Sequence, residues 1–79
     1  MAKSASKKFH HRYLLGLAIR RRRRELGWSQ ERLAEFADVH RNFVGLVERG
    51  EQNVSIDSLV RFSAALKTSL ARIFEDAGL

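Results

Sequence analysis

Residues 26–50 read LGWSQERLAEFADVHRNFVGLVERG, and this stretch decides the fold. Ser29 is suited to cap a helix over about 30–37, because its hydroxyl can accept one of the free N–H groups of the first turn. The apolar pattern breaks at Asp38 and then returns with helical spacing until Gly50. The stretch therefore predicts two short helices joined by a turn of about three or four residues.

Helical spacing also occurs on both sides of this stretch. Before it, apolar residues such as Leu15 and Ile19 recur on one face, which predicts a helix over roughly 12–26. After it, Ser55 and Ser69 each precede an apolar periodic segment and are expected to cap a fourth and a fifth helix. No segment alternates apolar and polar residues over a useful length, so strands are not expected. The predicted fold class is all-α, a compact five-helix bundle.

The composition describes one small domain. The chain has 79 residues, of which 44% are apolar and 30% charged, and a chain of this length has room for a single core. It contains no cysteine, which excludes disulfides and thiolate metal sites. Since there is no long apolar run, neither a membrane span nor a secretory signal is expected, and a cytoplasmic protein is the default. We expect a flexible basic tail over 1–11 and one domain over 12–79.

The charge is unevenly distributed along the chain. The formal net charge is +6, but residues 1–49 hold 12 basic and 5 acidic residues, whereas residues 50–79 hold 3 basic and 4 acidic ones. A strongly positive first part indicates a polyanionic partner, with nucleic acid favoured over a membrane surface. The nearly neutral second part is expected to have a different task.

The pattern as a whole resembles the Cro/repressor-type (XRE-like) helix-turn-helix family. The matching segments read LGxxIRxxR over 15–23, LGWSQxxLA over 26–34, ADV over 37–39, VERG over 47–50 and SIxxL over 55–59. The resemblance covers roughly 13–75 and implies a λ-repressor-like DNA-binding domain whose third helix enters the major groove. One departure concerns the turn, where the family usually has glycine and this chain has Asp38, which adopts a positive φ less easily.

The resemblance places base recognition at the start of the third helix, at His40, Arg41, Asn42 and Leu46. The chemistry of these side chains fits that role. Arginine can donate two parallel hydrogen bonds to guanine, asparagine can pair with adenine, and leucine can only contact an apolar group such as the thymine methyl. His40 has an equal alternative role as a helix cap or as a phosphate donor.

Contacts with the DNA backbone are implied at Ser29, Gln30, Phe43, Arg49 and Asn53, with Phe43 acting through its main chain. Ser29 and Gln30 lie at the N-terminus of the second helix, whose free N–H groups suit a phosphate. Asn53 belongs to the polar connector after the third helix, which usually faces the sugar-phosphate strand in this family.

The five consecutive arginines over 20–24 point in different directions on a helix, so they do not act as one patch. Arg23 lies four residues after Ile19 and leans toward the core face. The resemblance implies an ion pair between Arg23 and Glu48 that joins the first and third helices. The basic tail either follows DNA or only keeps the chain soluble; its cations are Lys3, Lys7 and Lys8.

We expect a homodimer on a palindromic operator, because one module of this type reads too few base pairs for useful discrimination. The candidate interface consists of apolar residues in the neutral part of the chain: Phe62, Leu70, Ile73, Phe74 and Leu79. Five short helices cannot enclose all of these side chains, which favours an exposed apolar patch. The alternative is that all of them belong to the core.

The segment ERGEQNVS over 48–55 narrows the family further. It has Val54 where many relatives have proline, and it looks like the controller proteins of restriction-modification systems, which activate and repress operons. A phage-type repressor, and an antitoxin that binds both a toxin protein and its operator, are the alternatives. The expected partners are double-stranded DNA, a second copy of the chain and, during activation, RNA polymerase.

No enzymatic activity, metal or cofactor is expected. A bundle this small lacks room for a deep pocket, and the adjacent histidines His10 and His11 lack the spacing of a zinc hydrolase. The competing class is a protein-binding module whose apolar face holds a different protein. An oligomeric-state measurement distinguishes the two, since a stable dimer favours the regulator.

Overall fold

The computed structural model describes residues 10–79. Within this range the chain forms five α-helices and no strand, which confirms the predicted all-α class. The helices are α1 (His10–Glu25), α2 (Gln30–Ala37), α3 (Arg41–Glu48), α4 (Ile56–Ala65) and α5 (Leu70–Ala77). None of them is long and apolar enough to cross a membrane.

Helix α1 includes His10 and His11 in addition to the predicted helix over 12–26, and it ends one residue earlier than predicted. His10, the first residue that the structure describes, is already helical, and its ring stacks on that of Tyr13 at a centroid distance of 6.1 Å. The helix ends at Glu25, because Gly27 adopts a φ of 74° that a helix cannot accommodate. The boundary expected between tail and domain at residue 11 therefore falls inside α1, and Lys3, Lys7 and Lys8 lie outside the described residues.

The three predicted serine caps are present. Ser29, Ser55 and Ser69 precede α2, α4 and α5, and each hydroxyl oxygen accepts a hydrogen bond from the backbone N–H three residues later, at 3.0, 3.1 and 3.0 Å. Each cap is typically worth about 1 kcal/mol of stability. The caps therefore define where three of the five short helices begin.

The core lies where all five helices meet. Helix α1 packs against α3 and α5, and α2 packs against α3 and α4. The centre of the core is Phe62 on α4, whose ring is fully buried and stacks on the ring of Phe43 at 6.1 Å. The largest buried side chains around it are Ile19, Leu33, Val44, Val47, Leu66 and Ile73.

The burial of two of the five residues predicted at a dimer interface contradicts their predicted role. Phe62 is 0% exposed and Ile73 is 2% exposed, so neither side chain has surface to offer a second copy. Phe62 lies on the face of α4 that packs against α2, and Ile73 lies on the face of α5 that packs against α1. Burial there removes both apolar side chains from water, which favours the folded state.

The turn between α2 and α3 has the left-handed residue that the sequence predicts. Asp38 has φ 56° and ψ 50°, and its N–H donates to the carbonyls of Ala34 and Glu35. Arg61 on α4 donates from Nη1 to the Asp38 carbonyl at 3.3 Å. Asp38 therefore acts as the C-cap of α2, and an exposed hydrogen bond connects the turn to α4.

Helices α1 and α3 cross so closely that α1 requires a glycine at the crossing. A Cβ atom built on Gly16 would overlap the carbonyl oxygen of Val47 and lie 2.6 Å from that of Glu48. Both of these atoms are backbone and cannot move without displacing α3. Gly16 thus sets the separation of the two helices. A second close contact with α1 occurs just after α3, where a Cβ on Gly50 would lie 2.8 Å from the Tyr13 Cα.

We expect Gly16→Ala to lower the free energy of unfolding, because the overlap with α3 outweighs the better helix propensity of alanine. Overpacking typically costs about 1–3 kcal/mol, against a gain of about 1 kcal/mol from replacing glycine in a helix. Gly45→Ala is the matched control, since a Cβ there would meet only side-chain atoms, the flexible end of Arg49 at 3.2 Å and Gln30 Oε1 at 3.7 Å. Urea unfolding at equal protein concentration measures both, and a Gly16→Ala protein as stable as Gly45→Ala would contradict the prediction.

Candidate nucleic-acid interface

A buried ion pair joins α1 to α3. Arg23 donates from Nε to Glu48 Oε2 at 2.6 Å and from Nη2 to Oε1 at 3.0 Å. A third donor of the same guanidinium, Nη1, binds the Trp28 carbonyl at 2.8 Å. The two side chains are only 9% and 2% exposed, so the charges are removed from water and compensate each other.

The same carboxylate also holds the first residue of α2. Gln30 donates from Nε2 to Glu48 Oε1 at 3.1 Å. Glu48 therefore connects α1, the N-terminus of α2 and the C-terminal turn of α3. Since both oxygens accept directional hydrogen bonds, the pair fixes the position of α3 relative to the start of α2.

The residues predicted to read bases lie along the exposed side of α3. His40, Arg41 and Asn42 are exposed at its N-terminus, and Leu46 is half-buried one turn later. A shallow groove runs between this side of α3 and the first turn of α2. It is lined by Ser29, Gln30, Glu31, Arg41, Asn42, Gly45, Leu46 and Arg49.

Gly45 forms part of the floor of this groove. A Cβ at this position would lie 3.2 Å from Arg49 Nη1 and 3.7 Å from Gln30 Oε1. A larger residue would therefore fill the space between two of the predicted phosphate-binding side chains. The absence of a side chain keeps the groove open at its centre.

His40 is the N-cap of α3. Its Nδ1 accepts a hydrogen bond from the Asn42 backbone N–H at 3.1 Å. A neutral imidazole that accepts at Nδ1 carries its proton on Nε2, which is then a donor. The two roles considered for this residue are therefore compatible, because one ring nitrogen can cap the helix while the other faces outward.

The groove also contains an ion pair that sequence reasoning missed. Arg41 Nη1 lies 3.3 Å from Glu31 Oε2, and the two side chains are 63% and 69% exposed. Glu31 lies in the first turn of α2, and no partner for it is predicted from the sequence. The pairing depends on how closely α2 and α3 approach, which no local pattern specifies.

Of the predicted backbone contacts, Ser29, Gln30, Arg49 and Asn53 are exposed. Phe43 is not suited to this role. Its N–H donates to the His40 carbonyl at 2.9 Å within the first turn of α3, and its half-buried ring packs on Phe62. The structure thus gives Phe43 a packing role in place of the predicted phosphate contact.

The remaining residues predicted at a dimer interface lie near the end of the chain. Leu70 and Phe74 are half-buried, and Leu79 is 55% exposed. The sequence did not single out the apolar side chains exposed elsewhere in the described range. Those on α2 and α4 are Phe36, Ile56 and Val60, which are 55%, 61% and 50% exposed.

Comparison with known proteins places this architecture among DNA-binding regulators. Residues 19–73 match the family described as Helix-turn-helix. The control protein C.SmaI from Serratia marcescens is 43% identical over 51 residues, which cover 65% of this chain. The match spans 61% of C.SmaI, less than two thirds of the length of that protein. The restriction-modification controller protein C.AhdI from Aeromonas hydrophila has a TM-score of 0.79 and 35% identity, covering 80% of this chain and 96% of that chain. The C.Esp1396I tetramer in complex with its natural 35 base-pair operator has a TM-score of 0.78 and 28% identity over 85% of this chain and 88% of that one.

We expect Glu48→Ala to destabilise the protein by about 3–5 kcal/mol, because it leaves the Arg23 charge buried without its partner. Arg24→Ala is the control, since it removes an exposed arginine from the same helix and should change stability by no more than about 0.5 kcal/mol. Thermal and urea unfolding followed by circular dichroism measure both. Equal stability of the two variants would show that the buried pair contributes nothing to the fold.

Proposed function

The chain belongs to the helix-turn-helix family, and we propose that it is a transcription regulator of the restriction-modification controller type that binds a palindromic operator as a homodimer. The observation that carries this is the groove between α2 and α3, which places an arginine and an asparagine at the exposed start of a rigidly held helix. The relatives named above support the controller type over the phage-repressor and antitoxin alternatives.

In this proposal α3 enters the major groove and its first residues read base edges. Arg41 donates to guanine O6 and N7, and Asn42 pairs with the N6 and N7 atoms of adenine. Leu46 contacts an apolar group such as the thymine methyl. His40 donates from Nε2 to a base or phosphate acceptor while its Nδ1 maintains the cap.

The start of α2 supplies the phosphate contacts. The first N–H groups of a helix have no partner within that helix, and together with the helix dipole they favour an anion. The Gln30 amide nitrogen uses one hydrogen for Glu48 and has a second one for a phosphate oxygen. Arg49, which lines the groove, and Asn53, which is exposed in the connector after α3, are further proposed phosphate contacts. The Ser29 hydroxyl can donate beside Gln30.

The five arginines over 20–24 on α1 have two kinds of role: some hold the fold together through hydrogen bonds, and the others only contribute positive charge. Arg23 belongs to the buried pair, and Arg22 donates from Nε to the Leu66 carbonyl at 3.0 Å. Arg20, Arg21 and Arg24 are exposed and add to the positive potential of the molecule. Such a potential accelerates encounter with DNA without selecting a sequence.

A second copy of the chain completes the operator contact. Two-fold pairing would place two α3 helices in successive major grooves, about 34 Å apart. We propose that Leu70, Phe74 and Leu79 contribute to the seam between the copies, since they lie in the nearly neutral part of the chain. When the bound dimer activates transcription, RNA polymerase is the further partner we propose.

Comparison of Arg41→Ala with Arg49→Ala tests the assignment of roles. Arg41→Ala should cost about 1–3 kcal/mol of operator binding and relax the preference at one base pair, because it removes a base contact. Arg49→Ala should weaken binding to all sequences and reduce the salt slope by about one unit, because it removes a phosphate contact. Selection of bound oligonucleotides and titrations at several salt concentrations measure these effects.

A wild-type protein that enriches no sequence from a random duplex library would overturn the proposed function. Equal loss on all sequences for Arg41→Ala would instead move that residue from base reading to phosphate binding.

The proposed seam is tested by Phe74→Asp, which places a charge among the seam residues and should convert the dimer into monomers with much lower operator affinity. Val60→Asp is the control, because Val60 is an exposed apolar residue on α4, outside the proposed seam. Light scattering gives the mass, and circular dichroism checks that both variants remain folded. Monomers from Val60→Asp alone would place the seam on α4.

A further inference from the structure

An acidic side chain lies in a groove that is proposed to face DNA. Glu31 lines it together with Arg41 and the N-terminal residues of α2. A carboxylate at this position repels phosphates and weakens binding to every DNA sequence alike. A negative charge there lowers the affinity for DNA, so its benefit has to be sought in another property of binding, such as the choice of base.

The group that Glu31 acts on is Arg41. The carboxylate oxygen Oε2 lies 3.3 Å from Arg41 Nη1, which connects the second residue of α2 to the first residue of α3. Because both side chains are more than 60% exposed, the pair contributes little to the stability of the fold. What it changes is the position of the guanidinium, which otherwise moves on a long and flexible side chain.

The geometry points to Glu31 as a specificity-determining residue that positions Arg41 for a guanine. The pair uses Nη1, and the opposite edge of the guanidinium, formed by Nε and Nη2, carries two parallel N–H groups that match guanine O6 and N7. Where no guanine faces Arg41, the arginine stays with Glu31 and does not turn to a nearby phosphate. This inference rests on the proposed function, since it requires α3 to read the major groove.

Three substitutions separate positioning from charge. Glu31→Gln removes the charge and keeps the length of the side chain, whereas Glu31→Asp keeps the charge but shortens the reach toward Arg41. Glu35→Gln is the matched control, because Glu35 lies one turn later on α2 and pairs with Arg32 at 3.9 Å. The wild-type protein and the three variants are each used to select duplexes from a random library, and affinity for an unrelated duplex is measured alongside.

We expect Glu31→Gln and Glu31→Asp to reduce the preference for guanine at the base pair read by Arg41 by about fivefold or more. About fivefold corresponds to the lower end of the discrimination that one bidentate base contact typically provides. Glu31→Gln should also bind the unrelated duplex more tightly, because one negative charge is gone. Glu35→Gln should show this second effect without the first. Adding Glu31→Gln to Arg41→Ala should leave the base preferences of Arg41→Ala unchanged.

The inference is overturned if Glu31→Gln and Glu35→Gln change affinity alike and leave the base preferences of the wild type intact. It is also overturned if Glu31→Asp behaves as the wild type, since charge alone would then explain the effect. Failure of the wild-type protein to select any sequence would be a failure of the proposed function, and that outcome is distinct from both.

Discussion

The carboxylate of Glu48 is the constraint on which the rest of the structure depends. It accepts hydrogen bonds from Arg23 on α1 and from Gln30 at the start of α2, and it belongs to α3 itself. Burial of apolar surface is not directional, so a hydrophobic core alone specifies the relative positions of these three helices less strictly than directional hydrogen bonds do. The buried pair adds direction, so the start of α2 and the exposed side of α3 form one rigid surface.

The close approach of α1 to α3 makes this arrangement geometrically feasible. Gly16 lets the backbones meet, and the Arg23 side chain, seven residues later on the same helix, then lies within reach of Glu48. On the opposite side, Asp38 and Arg61 hold the turn that sets the angle between α2 and α3. The groove between α2 and α3 is thus held in place by contacts from α1 and from α4.

Features encoded in neighbouring residues could be predicted from the sequence. The serine caps, the left-handed Asp38 and the five helices each follow from patterns only a few residues long, and α1 ends one residue earlier than predicted because Gly27 follows with a positive φ. The residues predicted to read bases followed from the family resemblance, and three of them, Arg41, Asn42 and Leu46, line one groove.

What could not be predicted depends on how elements pack. The apolar face of α5 does not tell whether Ile73 meets the core or a second copy, and the helical pattern does not show that the Phe43 N–H is already used by His40. The pairing of Glu31 with Arg41 is of the same kind, since it exists only because α2 and α3 are adjacent in space.

The buried pair also restricts how this protein can diverge over generations. Arg23 and Glu48 lie 25 positions apart and come from different helices, so no single nucleotide change can replace both. Any descendant that loses one of them must pass through a form with a lone ion in its interior, which selection removes unless a second change arrives at once. Lineages of this protein are therefore expected to inherit the two charges as a unit.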